Sequence, residues 1–368
     1  MTRVFIAPSK YIQGPGLIKK LEQYTANAGS GKPYILVDSF IAQSYKADII
    51  SSYEEKNVAY HFEEFGSESS QSEIQKHLDK VAEDSYSVIV GIGGGKTIDT
   101  AKAIAHHSNL PVYVAPTAAS TDAPTSALSV IYTDEGEFDH YLFLKTNPSA
   151  VIVDEELIVN APARLFRAGM GDALATYYEA DAHSRSHSTT MAGGIASQAA
   201  LALTRLCLRV LLEDGIKASK AVEAKALTKA VSNVIEANTL LSGLGFESGG
   251  VAGAHAIHNG MTAIPELHDL LHGEKVAFGT LTQMVLENRP LDEIDEIIEF
   301  CREVGLPTNF EELGIPDVTR EQLLEVAKIA NGENDTMATM GFKVTDEDIV
   351  AAMYSLDSLS REFDWLDE

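Results

Sequence analysis

One short segment constrains the fold more than any other: a strand-like run at 87–90 (SVIV) passes directly into GIGGGKTIDTAK at 91–102. A hydrophobic strand, four glycines within five positions (Gly91, Gly93, Gly94, Gly95) and a helix starting near Lys96 make the strand–turn–helix unit of an α/β sheet. Glycines at such a turn let backbone N–H groups approach a ligand closely. The free N–H groups and positive dipole end of the following helix then favour an anion, phosphate above all. A tight turn with no ligand would need fewer glycines. Neither common phosphate pattern applies, however. The P-loop spacing needs glycine at Val90, and GxGxxG meets Lys96 when started at Gly91 and Ile98 when started at Gly93.

The surrounding residues extend the same pattern. Strands are expected at 34–38 (YILVD), 57–61 (NVAYH), 111–115 (PVYVA), 127–132 (ALSVIY) and 150–154 (AVIVD), with helical spacing at 69–83 and a hairpin turn at 134–136. Asp38 closes the first clear strand, where a carboxylate either accepts from the ribose hydroxyls of a dinucleotide or simply starts a turn. The loop APTAASTD, 115–122, also follows a strand end; it either faces a ligand crevice or is an ordinary hydroxyl-rich turn.

From about Pro162 strand-like runs almost vanish. Helical periodicity covers 192–213, 218–240, 275–287, 291–304, 320–330 and 347–360. A chain of 368 residues suits two domains, here an α/β domain at 1–161 and an all-α domain at 162–368. Hydrophobic residues at 45% and charged residues at 22% suit ordinary globular domains. With 28 Lys and Arg against 54 Asp and Glu the net charge is −26, and no run of five basic residues interrupts it. Nucleic acid and anionic membranes are therefore poor partners. The two cysteines, Cys207 and Cys301, are isolated, and no 18-residue apolar run exists, so a soluble, cytoplasmic protein is expected.

Four of the eleven histidines lie at His255, His258, His268 and His272. His255 and His258 share one face of a small-residue helix in VAGAHAIHNG, and His272 opens another helix. Convergent imidazoles with a carboxylate form a catalytic zinc site, and packed core histidines are the alternative. The candidate acid is Asp172 in AGMGDALATYYEA, just after Gly169 and Gly171 at an expected helix start, where an N-cap is the other reading; its 83-residue distance from His255 leaves local spacing silent on whether they meet.

These blocks together resemble the iron-containing (group III) alcohol dehydrogenases. The resemblance rests on KYIQGPG, GIGGGKTIDTAKA, APTAASTDAP with SALSVIYTDEGEFD, APARLFRAGMGDALATYYEA, FESGGVAGAHAIHNGMTAIP and HGEKVAFGTL, and it spans essentially the whole chain. It implies an amino-terminal dinucleotide-binding α/β domain and an all-α carboxy-terminal domain, the dehydroquinate synthase-like arrangement. It further implies NAD-dependent oxidation of glycerol to dihydroxyacetone, with small vicinal diols as related substrates, in a homo-oligomer, commonly an octamer. By resemblance the metal ligands are Asp172, His255 and His272. Iron-dependent members carry a histidine four residues after the aspartate; here Thr176 stands there, which points to Zn2+ with three protein ligands.

The same matching places Gly94, Gly95, Lys96 and Asp99 at the pyrophosphate and Asp38 at the ribose of NAD. Thr117, Ser120, Ser126, Leu128 and Tyr132 are expected along the cofactor groove. Asp122 is expected to contact and orient the substrate beside His255, with Phe246 as a wall. His258 is either a proton relay or a packing residue. Rivals are a lyase of the dehydroquinate synthase type or a glycerol-1-phosphate dehydrogenase, both of which need a basic cluster that only Arg164 and Arg167 could supply. A phosphoryl-transfer enzyme built on Gly95-Lys96-Thr97 and a non-catalytic binding protein are more remote.

Overall fold

Six parallel strands build the first of two compact units. The computed structural model describes residues 1–66, 68–333 and 335–362, so the last residues of the expected second domain, 363–368, lie outside the described set. One unit comprises residues 7–119 and 123–162; the other comprises 1–6, 120–122 and the residues from 163 onward.

The strands of the first unit are β1 (Tyr11–Gly14), β2 (Lys32–Val37), β3 (His61–Glu64), β4 (Tyr86–Gly93), β5 (Val112–Pro116) and β8 (Ala150–Asp154), in spatial order β1-β8-β5-β4-β2-β3. The remaining two, β6 (Leu128–Tyr132) and β7 (Phe138–Phe143), form an antiparallel hairpin around Gly136, whose φ of +86° glycine adopts without strain. Helices α1 (Leu21–Thr25), α2 (Ser39–Glu55), α3 (Gln71–Ala82), α4 (Gly95–Ser108) and α5 (Glu155–Asn160) complete the unit. Every residue of β4 and β8 is buried, as expected of parallel strands covered on both faces. Alternate residues Ile35 and Val37 of β2 and Val88, Val90 and Ile92 of β4 enter one core cluster with Leu21, Ile49 and Tyr53. Each such side chain contributes roughly 1.5–3 kcal/mol on burial.

The expected strand at 57–61 is displaced. Asn57 takes a positive φ of 53° to end α2, and pairing with β2 begins only at His61. The edge strand β1 was not anticipated.

The helical unit runs through α6 (Ala163–Ser186), α7 (Gln198–Glu223), α8 (Lys229–Glu236), α9 (Ser242–Gly249), α10 (Gly253–Met261), α11 (His272–Leu286), α12 (Leu291–Val304), α13 (Arg320–Ala330) and α14 (Asp346–Glu362). The expected helix at 192–213 starts later, because Ser197 caps α7 by accepting from the Ala200 N–H. That expected at 218–240 is two helices. Lys225 at φ +54° breaks the chain, and the Thr228 hydroxyl caps α8. Residues 1–6 join this unit through a bridge between Arg3 and Ile195 and a bond from the Ile6 N–H to Ser248.

Glycines set the spacing of the central helices. A Cβ on Gly171 of α6 would collide with the Gly273 carbonyl oxygen of α11, and a Cβ on Gly273 with the Ala168 carbonyl oxygen of α6. A Cβ on Gly279 of α11 would strike the Ala254 carbonyl oxygen of α10. These backbones touch, so no residue with a side chain fits. Gly273→Ala is accordingly expected to lower stability by at least about 3 kcal/mol in chemical denaturation, or to prevent folding. A fully stable Ala variant would contradict this packing.

Candidate functional site

The touching backbones of α6, α10 and α11 bring Asp172, His255 and His272 together. Asp172 lies in the interior of α6, not at a helix start, so its expected N-cap alternative is overturned. Gly169 and Gly171 read as a break in the sequence, but the helix runs on through both, and Gly171 serves its close packing on α11. One ligand atom from each of Asp172, His255 and His272 lies within 4.8 Å of the others. Asp172 Oδ1 stands 3.1 Å from His272 Nε2 and 3.5 Å from His255 Nε2.

Partners on the far side of each ring fix which nitrogen faces inward. Glu179, buried on α6, accepts the His255 Nδ1–H through Oε2 at 2.6 Å, while its Oε1 accepts the backbone N–H groups of Ala252 and His255 at 2.9 Å. His255 Nε2 is thereby turned towards Asp172. On the other ring, the Asn259 amide donates to Asp335 at 3.1 Å and offers its oxygen to His258 Nδ1 at 3.1 Å. His258 Nε2 is then the acceptor for His272 Nδ1 at 3.0 Å, leaving His272 Nε2 to face Asp172. Sequence reasoning missed Glu179 and Asn259. A signal was present for the first: Asp172, Thr176 and Glu179 stand at i, i+4 and i+7, one stripe of α6.

The electrostatics agree with this arrangement. Burial alone would raise the Asp172 carboxyl, but the imidazoles of His272 and His255 hold it well below the usual carboxylate range. Burial likewise works against protonated His255, and Glu179 with Asp172 outweighs it, raising this group. His258 is pushed well below the ordinary histidine value by burial and by the neighbouring His272 and His255, so it is a neutral ring.

The donor set suits a divalent cation of the zinc type. Tetrahedral bonds of about 2.1 Å put neighbouring ligand atoms about 3.4 Å apart, close to the spacing around Asp172 Oδ1. Thr176 supplies no fourth ligand. It is buried, its hydroxyl is engaged with Ser242 Oγ at 2.9 Å, and Gly245 packs tightly on its methyl.

Asp122 lies at the same place. Its N–H donates to Asp172 Oδ2 at 3.2 Å, and its carboxylate accepts from Ser242 Oγ at 3.2 Å. The Phe246 ring stands 6.5 Å from that of His255. His268 stays outside the cluster, bonded to the Thr262 carbonyl. Ser120 groups with this helical unit.

In the α/β unit the four glycines divide into two pairs. A Cβ on Gly91 would meet Ala101 Cβ at 2.5 Å, and one on Gly93 would meet Thr97 Oγ1 at 2.7 Å. These two let α4 pack on β4. Around Gly94, the N-cap of α4, and around Gly95, a Cβ would find nothing within 4 Å. The protein's own packing does not require glycine there, and the space suits a phosphate-bearing group at a helix N-terminus.

Asp38 caps α2, its Oδ1 accepting from Phe40 and Ile41 N–H. Thr117 N–H bonds the Gly93 carbonyl, and the Lys96 ammonium pairs with Glu68 and lies 5.4 Å above the Tyr132 ring. Burial pushes the Tyr132 hydroxyl up to about 12. Asp99 points inward: buried, it accepts from the Val130 N–H and pairs with Lys102, so it docks β6 on α4. Lys102 also bonds Ser126 Oγ and the Leu128 carbonyl, tying both residues to α4.

A parallel α/β unit with a glycine-lined helix start and a helical unit holding one carboxylate and two imidazoles define the dehydroquinate synthase-like fold class. Residues 8–155 match the family model described as iron-containing alcohol dehydrogenase. A glycerol dehydrogenase of Escherichia coli O6:H1 is 49% identical over 364 residues, 99% of each chain. A glycolaldehyde reductase of Halobacterium salinarum is 41% identical, covering 98% of this chain and 99% of its own. The crystal structure of glycerol dehydrogenase from Schizosaccharomyces pombe is similar with a TM-score of 0.96 at 41% identity, covering 100% of this chain and 93% of that one. This chain belongs to the glycerol dehydrogenase branch of the iron-containing alcohol dehydrogenase family. No helix among the described residues is long and apolar enough to cross a membrane.

Removing the carboxylate behind His255 tests the site directly. Glu179→Ala is expected to weaken Zn2+ binding about 10–100-fold in chelator competition, while His268→Ala leaves it unchanged. Equal affinity in Glu179→Ala and the unaltered protein would refute the orienting role of Glu179.

Proposed function

We propose that this protein oxidises glycerol to dihydroxyacetone with NAD+, using one zinc ion held by Asp172, His255 and His272. The observation that carries the reading is the approach of two imidazole Nε2 atoms to the same oxygen of buried Asp172. A bound zinc ion supplies Lewis acidity, which makes a substrate hydroxyl acidic enough for hydride to leave its carbon. The chain's own residues do the rest. Glu179 and His258 hold the two rings with Nε2 inward, so both nitrogens already face the Asp172 carboxylate. Asp122, whose carboxylate is held by Ser242, takes a hydrogen bond from a substrate hydroxyl and so orients the substrate. Phe246 provides an apolar wall against the carbon chain.

For the cofactor, Gly94, Gly95 and the N-terminus of α4 receive the pyrophosphate. Asp38 Oδ2, which the helix cap does not use, receives the adenosine ribose and disfavours a 2′-phosphate. Lys96 and Tyr132 border the groove.

Anionic substrates fit less well. Arg164 makes a two-pronged pair with Glu274, and Arg167 bonds Ser219 and Glu223, so internal partners already occupy both guanidinium groups that could bind a phosphate or carboxylate. Other small vicinal diols share the recognition chemistry, and the relationship to a glycolaldehyde reductase makes them the second set of substrates to assay.

Exhaustive chelation should abolish NADH formation with glycerol and added Zn2+ should restore it; undiminished turnover by metal-free protein would refute the reading. Gly94→Ala and Gly95→Ala should leave thermal stability unchanged and raise the KM for NAD+ about ten-fold or more. An unchanged KM would remove the pyrophosphate from this helix start.

A further inference from the structure

Directly before α9 the helix contains a π turn, Ala237–Leu241. Such a turn adds one residue to the helical repeat, rotating everything after it by about 100°, and π turns concentrate at functional sites. The first residue after it is Ser242, fully buried, whose hydroxyl meets two groups from elsewhere in the helical unit. Ser242 Oγ lies 3.2 Å from Asp122 Oδ2 and 2.9 Å from Thr176 Oγ1.

A serine hydroxyl has one proton to give, and an ionised carboxylate only accepts. The proton of Ser242 therefore goes to Asp122, and Ser242 Oγ accepts the proton of Thr176. The chain runs in one direction, Thr176 to Ser242 to Asp122. At the other end of Asp122, its backbone N–H is tied to Asp172. Asp122 is thus held at two points, by its main chain to a metal-ligand candidate and by its side chain to α9.

We propose that Ser242, oriented in turn by Thr176, is a positioning residue for Asp122, fixing the carboxylate in the orientation that recognises a substrate hydroxyl. Threonine at 176 then has a task beyond failing to ligate a metal: its hydroxyl donates to Ser242 Oγ and holds that hydroxyl towards Asp122, and its methyl packs against Gly245. The π turn is the device that aims Ser242, since a regular helix would carry its hydroxyl about 100° away. This inference rests on the reading that Asp122 contacts the substrate.

The test uses zinc-loaded Asp122→Asn, Ser242→Ala, the Asp122→Asn/Ser242→Ala double variant, and Thr176→Val, which keeps shape while removing the hydroxyl. In Ser242→Ala the KM for glycerol should rise about ten-fold, with kcat changed by less than about two-fold. Thr176→Val should shift KM the same way by about three-fold. Zinc content and the KM for NAD+ should stay unchanged, and the rise in melting temperature produced by glycerol should shrink in step with KM. The double variant should be no worse than Asp122→Asn alone, because Ser242 acts only through Asp122. An unchanged KM in Asp122→Asn overturns both this inference and the substrate role of Asp122. A raised KM there with unaltered Thr176→Val and Ser242→Ala overturns the positioning role alone, as do additive effects in the double variant. Should Ser242→Ala fail to fold, Thr176→Val decides, an unaltered KM counting against the inference.

Discussion

Direct backbone contact between α6 and α11 is the constraint on which the site depends. Gly171 and Gly273 let each helix lie against a carbonyl of the other, an approach that any Cβ would prevent. Because of it, a carboxylate inside one helix and an imidazole at the first residue of another stand 3.1 Å apart. The same device, with Gly279 against Ala254, brings in α10 and His255. Helix glycines cost about 1 kcal/mol each relative to alanine, and here that cost is exchanged for ligand placement that propensity alone would oppose.

Burying a carboxylate as deeply as Asp172 is unfavourable unless hydrogen bonds or charge compensate it. The Asp122 N–H and, when protonated at Nε2, the two imidazoles provide that compensation in the protein itself. Behind the imidazoles lie Glu179 on one side and the chain His258, Asn259, Asp335 on the other, so each ring is oriented by groups that never face the site. The glycine-rich turn of the α/β unit follows a related economy. Two of its glycines satisfy helix–strand packing, while two leave room at a helix start.

Much of this was legible in the sequence, for definite reasons. Strands such as β8 and helices such as α12 and α13 stand at the expected residues because their apolar period, and in α13 its Thr319 cap, point the same way. The position of Asp172 in its helix was misread because glycine signals both a break and a close approach, and only the facing backbone distinguishes them. The split between α7 and α8 was hidden by an uninterrupted Ala- and Lys-rich pattern, overruled by Thr228 as a cap and Lys225 at positive φ. Glu179 lay on the Asp172 stripe, yet its partner is 76 residues away. Ser242 carried no local signal at all, since a π turn decides where it points.

The central claim is that Asp172, His255 and His272 jointly hold one divalent cation. Anomalous diffraction at the zinc absorption edge, on crystals of the active protein, tests it most directly. The account predicts one strong peak bonded to a carboxylate oxygen of Asp172 and to Nε2 of both histidines at about 2.0–2.2 Å. A peak elsewhere, or none in crystals that still reduce NAD+ with glycerol, would contradict it.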